Sequence, residues 1–195
     1  MSTLNSVVKF DIGRLFNGAI DVDWLISDPS KAERAAQSFV FHGPAYHGVM
    51  QKDIASSGHR LIDSASFFKD TIARLSEDCD QPFTVAIAGF GSGKSHIALT
   101  LAELLENAKS AQREAILNNI AQADEKSAKQ ISNMLPEIAE QVLVITLNGM
   151  NNFDLSAEIL GRVKAKFIRL GIQTDALDSL RKRFTHAANI LKMLF

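Results

Sequence analysis

Residues 88–96 read Ala-Gly-Phe-Gly-Ser-Gly-Lys-Ser-His, with three glycines, a lysine and two serines in nine positions. Gly93-Lys94-Ser95 closes a known nucleotide-loop pattern, a glycine followed by four free positions and Gly-Lys-Ser/Thr. Counting back from Gly93, the first position is Ala88, a small residue where the chain must turn, with Gly89 beside it. Gly89, Gly91 and Gly93, with Phe90 and Ser92 between them, allow a tight turn whose N–H groups converge on phosphate oxygens. A helix starting near Lys94 adds its dipole and its unpaired N–H groups. Lys94 is the candidate catalytic cation, reaching the β- and γ-phosphates. Ser95 is the candidate magnesium ligand, and His96 completes the first helical turn. The expected ligand is ATP with Mg2+. The competing reading is a glycine-rich turn that contains Lys-Ser without a ligand.

The segments around this loop must position it. Phe83 to Ala88 is a short apolar, β-branched run of the kind that forms a central parallel strand buried on both faces. Beyond the loop, Ile97, Leu101, Leu104 and Leu105 mark one helix face. Residues 108–135 lack glycine and proline and predict one long helix or a helical pair broken near Ala123-Asp124. Val142 to Leu147 is a second candidate strand, ending at Asn148-Gly149. Asp154 caps a helix through Leu155, Ile159, Val163 and Phe167 that Gly171 stops. Thr174 or Asp175 opens a last helix.

Before the loop, residues 7–26 alternate apolar and polar residues loosely around Asn17-Gly18, which suits a short hairpin or a strand-turn pair. Ser27-Asp28-Pro29 opens a helix to about Phe41, which Gly43-Pro44 stops. Ile62, Ala65, Phe68, Ile72 and Leu75 trace another amphipathic face. Strands alternating with helices predict an α/β fold: a parallel sheet, incomplete with two strands, carrying helices on both faces. The expected organisation is a mostly helical segment over 1–80 and a nucleotide-binding core over 81–195, with a helical insertion at about 108–135.

Cleaving a γ-phosphate needs an acidic residue at the end of another strand to organise magnesium, and a group that handles the attacking water. No apolar run here ends in carboxylates: Leu61-Ile62-Asp63 sits in a helical pattern, Lys9 interrupts the run to Asp11, and the later strand ends at Asn148. The apolar end Leu191-Lys192-Met193-Leu194-Phe195 leaves a helix face without its partner. The expectation is therefore the N-terminal portion of a larger ATPase, with a naturally short, associating protein as the alternative.

At Phe90-Gly91-Ser92-Gly93-Lys94-Ser95-His96 the chain resembles the P-loop ATPases of the AAA+ and related additional-strand groups. Within these it is similar to the large ATPases of bacterial BREX-type phage-defence systems, through that loop and Arg14-Leu15-Phe16-Asn17-Gly18-Ala19-Ile20-Asp21-Val22. The resemblance implies a multi-domain ATPase that switches or powers a multi-protein machine on DNA. Departures stand beside it, since the acidic strand, sensor residues and arginine finger have no counterpart here. The alternative function is a nucleotide-gated scaffold module that binds ATP without hydrolysing it.

Length, at 195 residues, allows one α/β domain and a smaller appendage. A net charge of −1 excludes a strong overall field toward nucleic acid or membrane. A single cysteine, Cys79, forms no internal disulfide, and with no secretory pattern the expected location is cytoplasmic. The longest apolar runs are too short to span a bilayer. His42, Tyr46 and His47 lie in a loop that either covers an adenine ring or is ordinary surface. Asn148 is either a γ-phosphate contact or a turn residue. The basic positions Arg162, Lys164, Lys166, Arg169, Arg181, Lys182, Arg183 and Lys192 form a solvated face, an interface to a missing domain, or a nucleic-acid contact. Expected partners are thus the nucleotide, other subunits or the rest of the chain, and nucleic acid through the assembly.

Overall fold

The computed structural model describes residues 19–46, 61–76, 84–87, 91–106, 111–138, 142–149, 154–179, 182–183, 186 and 189. Among these the regular elements are helices: α1 Trp24–Ser27, α2 Pro29–Gln37, α3 Ser64–Ser76, α4 Lys94–Glu106, α5 Ala111–Ala123, α6 Glu125–Ile138 and α7 Leu155–Arg169. Residues 175–179 are helical as well.

Local chemistry sets most of the boundaries. Asp28 accepts from Lys31 N–H at 3.1 Å, with Pro29 in the first turn of α2. The helix stops at Gln37, short of the expected Phe41, because Ser38 takes the cap and Phe39 and Phe41 turn inward. Asp63, 5% exposed, caps α3 by accepting from Ser66 N–H at 2.8 Å. Asp124 breaks the long helical stretch where the sequence suggests it. Its N–H ends α5 on the Ile120 carbonyl at 2.8 Å, while its carboxylate accepts from Ser127 Oγ at 2.5 Å at the start of α6. Asp154 caps α7 through Ala157 N–H at 2.8 Å.

The main core joins α3, α4, α5 and α6. Phe68, Ile72, Leu104, Ile116, Ile120 and Ile131 are fully enclosed there. Burying each such side chain contributes roughly 1.5–3 kcal/mol of transfer free energy. The stretch read as an insertion therefore supplies the centre of the core. Gly43 belongs to this packing, because a Cβ there would sit 2.3 Å from the Ala123 carbonyl oxygen, so the chain can pass only as glycine. In a second cluster, the small residues Ala32, Ala35 and Ala102 let α2 and α4 approach closely beside Leu25 and Leu99.

The α/β expectation is overturned. Among the described residues there is no β-strand, so the parallel sheet carrying helices on both faces is absent. Residues 84–87 lie outside any ladder with Val85 80% and Ile87 74% exposed, the reverse of a strand buried on both faces. Residues 142–148 also join no ladder, and Val142 and Val144 pack against the helical core instead. The physical reason is that an apolar, β-branched run fits any connector lying along a helical core. A strand exists only where a neighbour accepts its backbone hydrogen bonds. Of the hairpin or strand-turn pair expected over 7–26, residues 7–18 lie outside the described residues and 24–26 belong to helix α1, and the thiol of Cys79 also lies outside the described residues. No helix among the described residues is long and apolar enough to cross a membrane.

Candidate functional site

The described part of the glycine loop begins at Gly91, and Ala88, Gly89 and Phe90 lie outside the described residues. Gly91 has φ 76° and Gly93 φ 84°, while no non-glycine residue described has a positive φ. Left-handed backbone thus flanks Ser92 on both sides, and left-handed residues are a component of anion-binding backbone nests. A Cβ at either glycine would meet open space, so backbone conformation and not crowding demands glycine here.

Gly93 also stands at the head of α4, its carbonyl accepting from Ile97 N–H at 2.9 Å. A glycine in this place has no side-chain oxygen to cap the first turn. Lys94 and Ser95 are exposed on that turn, and Lys94 Nζ donates to Ser92 Oγ at 3.4 Å, which brings the ammonium over the loop. A lysine, a hydroxyl and backbone N–H groups at a helix start are the donor types that a phosphate requires. Among the described residues no group of His, Cys, Asp and Glu is placed to hold a metal, leaving the Ser95 hydroxyl as the candidate ligand in this turn.

His96 turns the other way. Its Nε2 lies 2.6 Å from the Ala35 carbonyl oxygen and 3.5 Å from Ser38 Oγ. A carbonyl only accepts, so Nε2 carries the proton and donates. The imidazole edge meets the Phe39 ring, with centroids 4.9 Å apart at 85°. Burial lowers the His96 pKa below the ordinary imidazole value, and the hydrogen bond to Ala35 opposes this in part. At neutral pH the ring is therefore uncharged.

No protein-family model, curated protein or solved structure matches the chain. With no strand among the described residues and no match in these comparisons, the resemblance to P-loop ATPases of the AAA+ and additional-strand type, BREX-type ATPases included, is withdrawn. The physical reason is that a short glycine-lysine-serine turn specifies a local backbone shape. The fold around it is specified elsewhere in the chain.

The other candidates are placed as follows. His42 and Tyr46 stack with centroids 4.0 Å apart at 11°, both exposed, and His47 lies outside the described residues. Their loop is docked on the start of α3, where His42 N–H donates to Ser64 Oγ at 2.8 Å. Asn148 Nδ2 donates to Asp21 Oδ1 at 3.3 Å. The basic residues of α7 serve internal contacts. Arg162 pairs with Asp23 at 2.6 Å and Glu158 at 2.7 Å, Lys164 with Asp178 at 2.5 Å, and Lys166 with Glu106. Arg169 Nη1 donates to the Leu25 carbonyl at 2.6 Å. Arg181 and Lys192 lie outside the described residues.

Sequence reasoning missed Ala35, Ser38 and Phe39 as neighbours of the loop. They stand about sixty positions away, and a backbone carbonyl leaves no signature in a sequence. The one available signal was Ser38, a hydroxyl residue at a helix end.

Proposed function

We propose that the chain binds ATP with magnesium through residues 88–95 and so serves as a nucleotide-dependent module of a larger assembly. The observation that carries this reading is the turn at 91–95. Two left-handed glycines lead into an exposed Lys94 and Ser95 at a helix start that no Gly93 side chain caps. Lys94 and the turn's N–H groups would hold the β- and γ-phosphates, with the Ser95 hydroxyl on the magnesium ion. Magnesium, when bound, neutralises phosphate charge. The chain's own part is to bind and orient.

Partners are part of the proposal. The exposure of Val85, Ile87 and Ile168 at 80%, 74% and 61% supports association with other protein subunits or with further chain. Nucleic acid enters through that assembly. The phage-defence role rested on the withdrawn resemblance alone and has no separate support.

A second reading, an assembly module that binds ATP without cleaving it, is favoured by how the chain uses its aspartates. Asp28, Asp63, Asp124 and Asp154 are each committed to a helix start. Titration with a fluorescent ATP analogue and magnesium tests binding. The wild-type chain saturates and Lys94→Ala loses binding; undiminished binding by Lys94→Ala overturns the proposal. Lys94-dependent phosphate release by the same chain decides against the second reading.

A further inference from the structure

His96 sits one residue beyond the candidate magnesium serine, yet its side chain faces α2. It donates Nε2–H to the Ala35 carbonyl at 2.6 Å and presses its ring edge on Phe39. Phe39 in turn meets Phe41 edge-on at 4.7 Å and stacks on Phe68 at 6.4 Å, so the contact continues into the main core. Ala35 is fully buried and its carbonyl also accepts from Ser38 Oγ at 2.7 Å, which makes it a fixed acceptor. At its own end, His96 is held in α4 by a carbonyl that accepts from Thr100 Oγ1 at 2.8 Å.

An apolar residue at 96 would pack against Phe39 but would leave the rotation of α4 free to settle by packing alone. A directed hydrogen bond to one carbonyl removes that freedom. Lys94, Ser95 and His96 share a single turn of helix, so fixing the third side chain fixes the directions of the other two.

We infer that His96 is a positioning residue: its bond to the Ala35 carbonyl sets the rotation of the first turn of α4, and with it the placement of Lys94 and Ser95. The inference rests on the reading that the glycine loop binds Mg-ATP. It adds a requirement on α2, because ligand affinity then depends on a carbonyl in a helix that does not touch the ligand.

The test compares His96→Gln with His96→Asn. Both replacements are polar and compact, but only glutamine carries an amide N–H out to the position of Nε2. Affinity for a fluorescent ATP analogue with magnesium is measured beside the urea midpoint of each chain. His96→Gln binds within about twofold of wild type, and His96→Asn binds about tenfold more weakly, the equivalent of one lost hydrogen bond. Ile131→Val, destabilised in the core on α6, binds as wild type does and separates positioning from general stability. Equal affinities for the glutamine and asparagine variants overturn the inference, whether both match wild type or both are weakened. A loss with Ile131→Val equal to that with His96→Asn does the same. No binding by the wild-type chain overturns the loop reading and this inference together, whereas normal wild-type binding with equal variants overturns this inference alone.

Discussion

The imidazole of His96 donates a hydrogen bond of 2.6 Å to the carbonyl of Ala35, tying the helix that starts with Lys94 to the one that ends at Gln37. The ring is held neutral because burial disfavours its charged form. In the unfolded chain this histidine takes up its proton near the ordinary value of 6.5, and in the folded chain only at lower pH. Its contribution to stability is therefore complete above about pH 6.5 and is lost as pH falls from there toward the lowered folded-state value. Urea midpoints measured between about pH 8 and about pH 5 should fall more steeply for wild type than for His96→Gln. Parallel curves would show that His96 takes no part.

The helical core makes a second, sharper demand. Ile131 on α6 is 0% exposed among α3, α5 and α4 side chains, whereas Ile168 on α7 is 61% exposed. Ile131→Ala should cost about 2–5 kcal/mol through lost burial and a residual cavity. Ile168→Ala should stay within about 0.5 kcal/mol. Chemical denaturation of the two variants checks this, and equal losses would mean that the core is elsewhere.

Helix α7 has no buried residue and is held to the rest by polar contacts, chiefly Arg162 to Asp23 and Lys166 to Glu106. Arg162→Ala should detach it at a cost of about 1 kcal/mol, since these groups are partly exposed and screened. The signature is salt dependence. Wild type should lose stability between low and high salt, and the variant should lose less. An Arg162→Ala chain with the wild-type salt response contradicts this role.

Much of the helical architecture was legible in the sequence, for reasons that are local. Asp154 announces α7 because a carboxylate can accept from N–H groups two or three residues on, and Asp124 breaks the long helical stretch by the same chemistry. The spacing of Ala65, Phe68 and Ile72 marks the buried face of α3, all three fully enclosed. Glycines at 91 and 93 foretell a turn that only left-handed backbone can make. These features depend on residues within one or two helical turns of each other.

Tertiary structure alone decided what those pieces become. Phe83–Ala88 and Val142–Leu147 carry a composition suited to strands, but a strand needs a hydrogen-bonding neighbour, and no residue type states whether one will arrive. The helices took Val142 and Val144 as core material, while Val85 and Ile87 stayed outside it. The direction of His96 was equally unreadable, because its partner is a backbone carbonyl in another helix. The sequence by itself determined where α2, α4, α6 and α7 begin and that a glycine turn precedes Lys94. Packing determined that these helices close on one another, since burial rewards any complementary apolar surface and is indifferent to how far apart its residues stand along the chain.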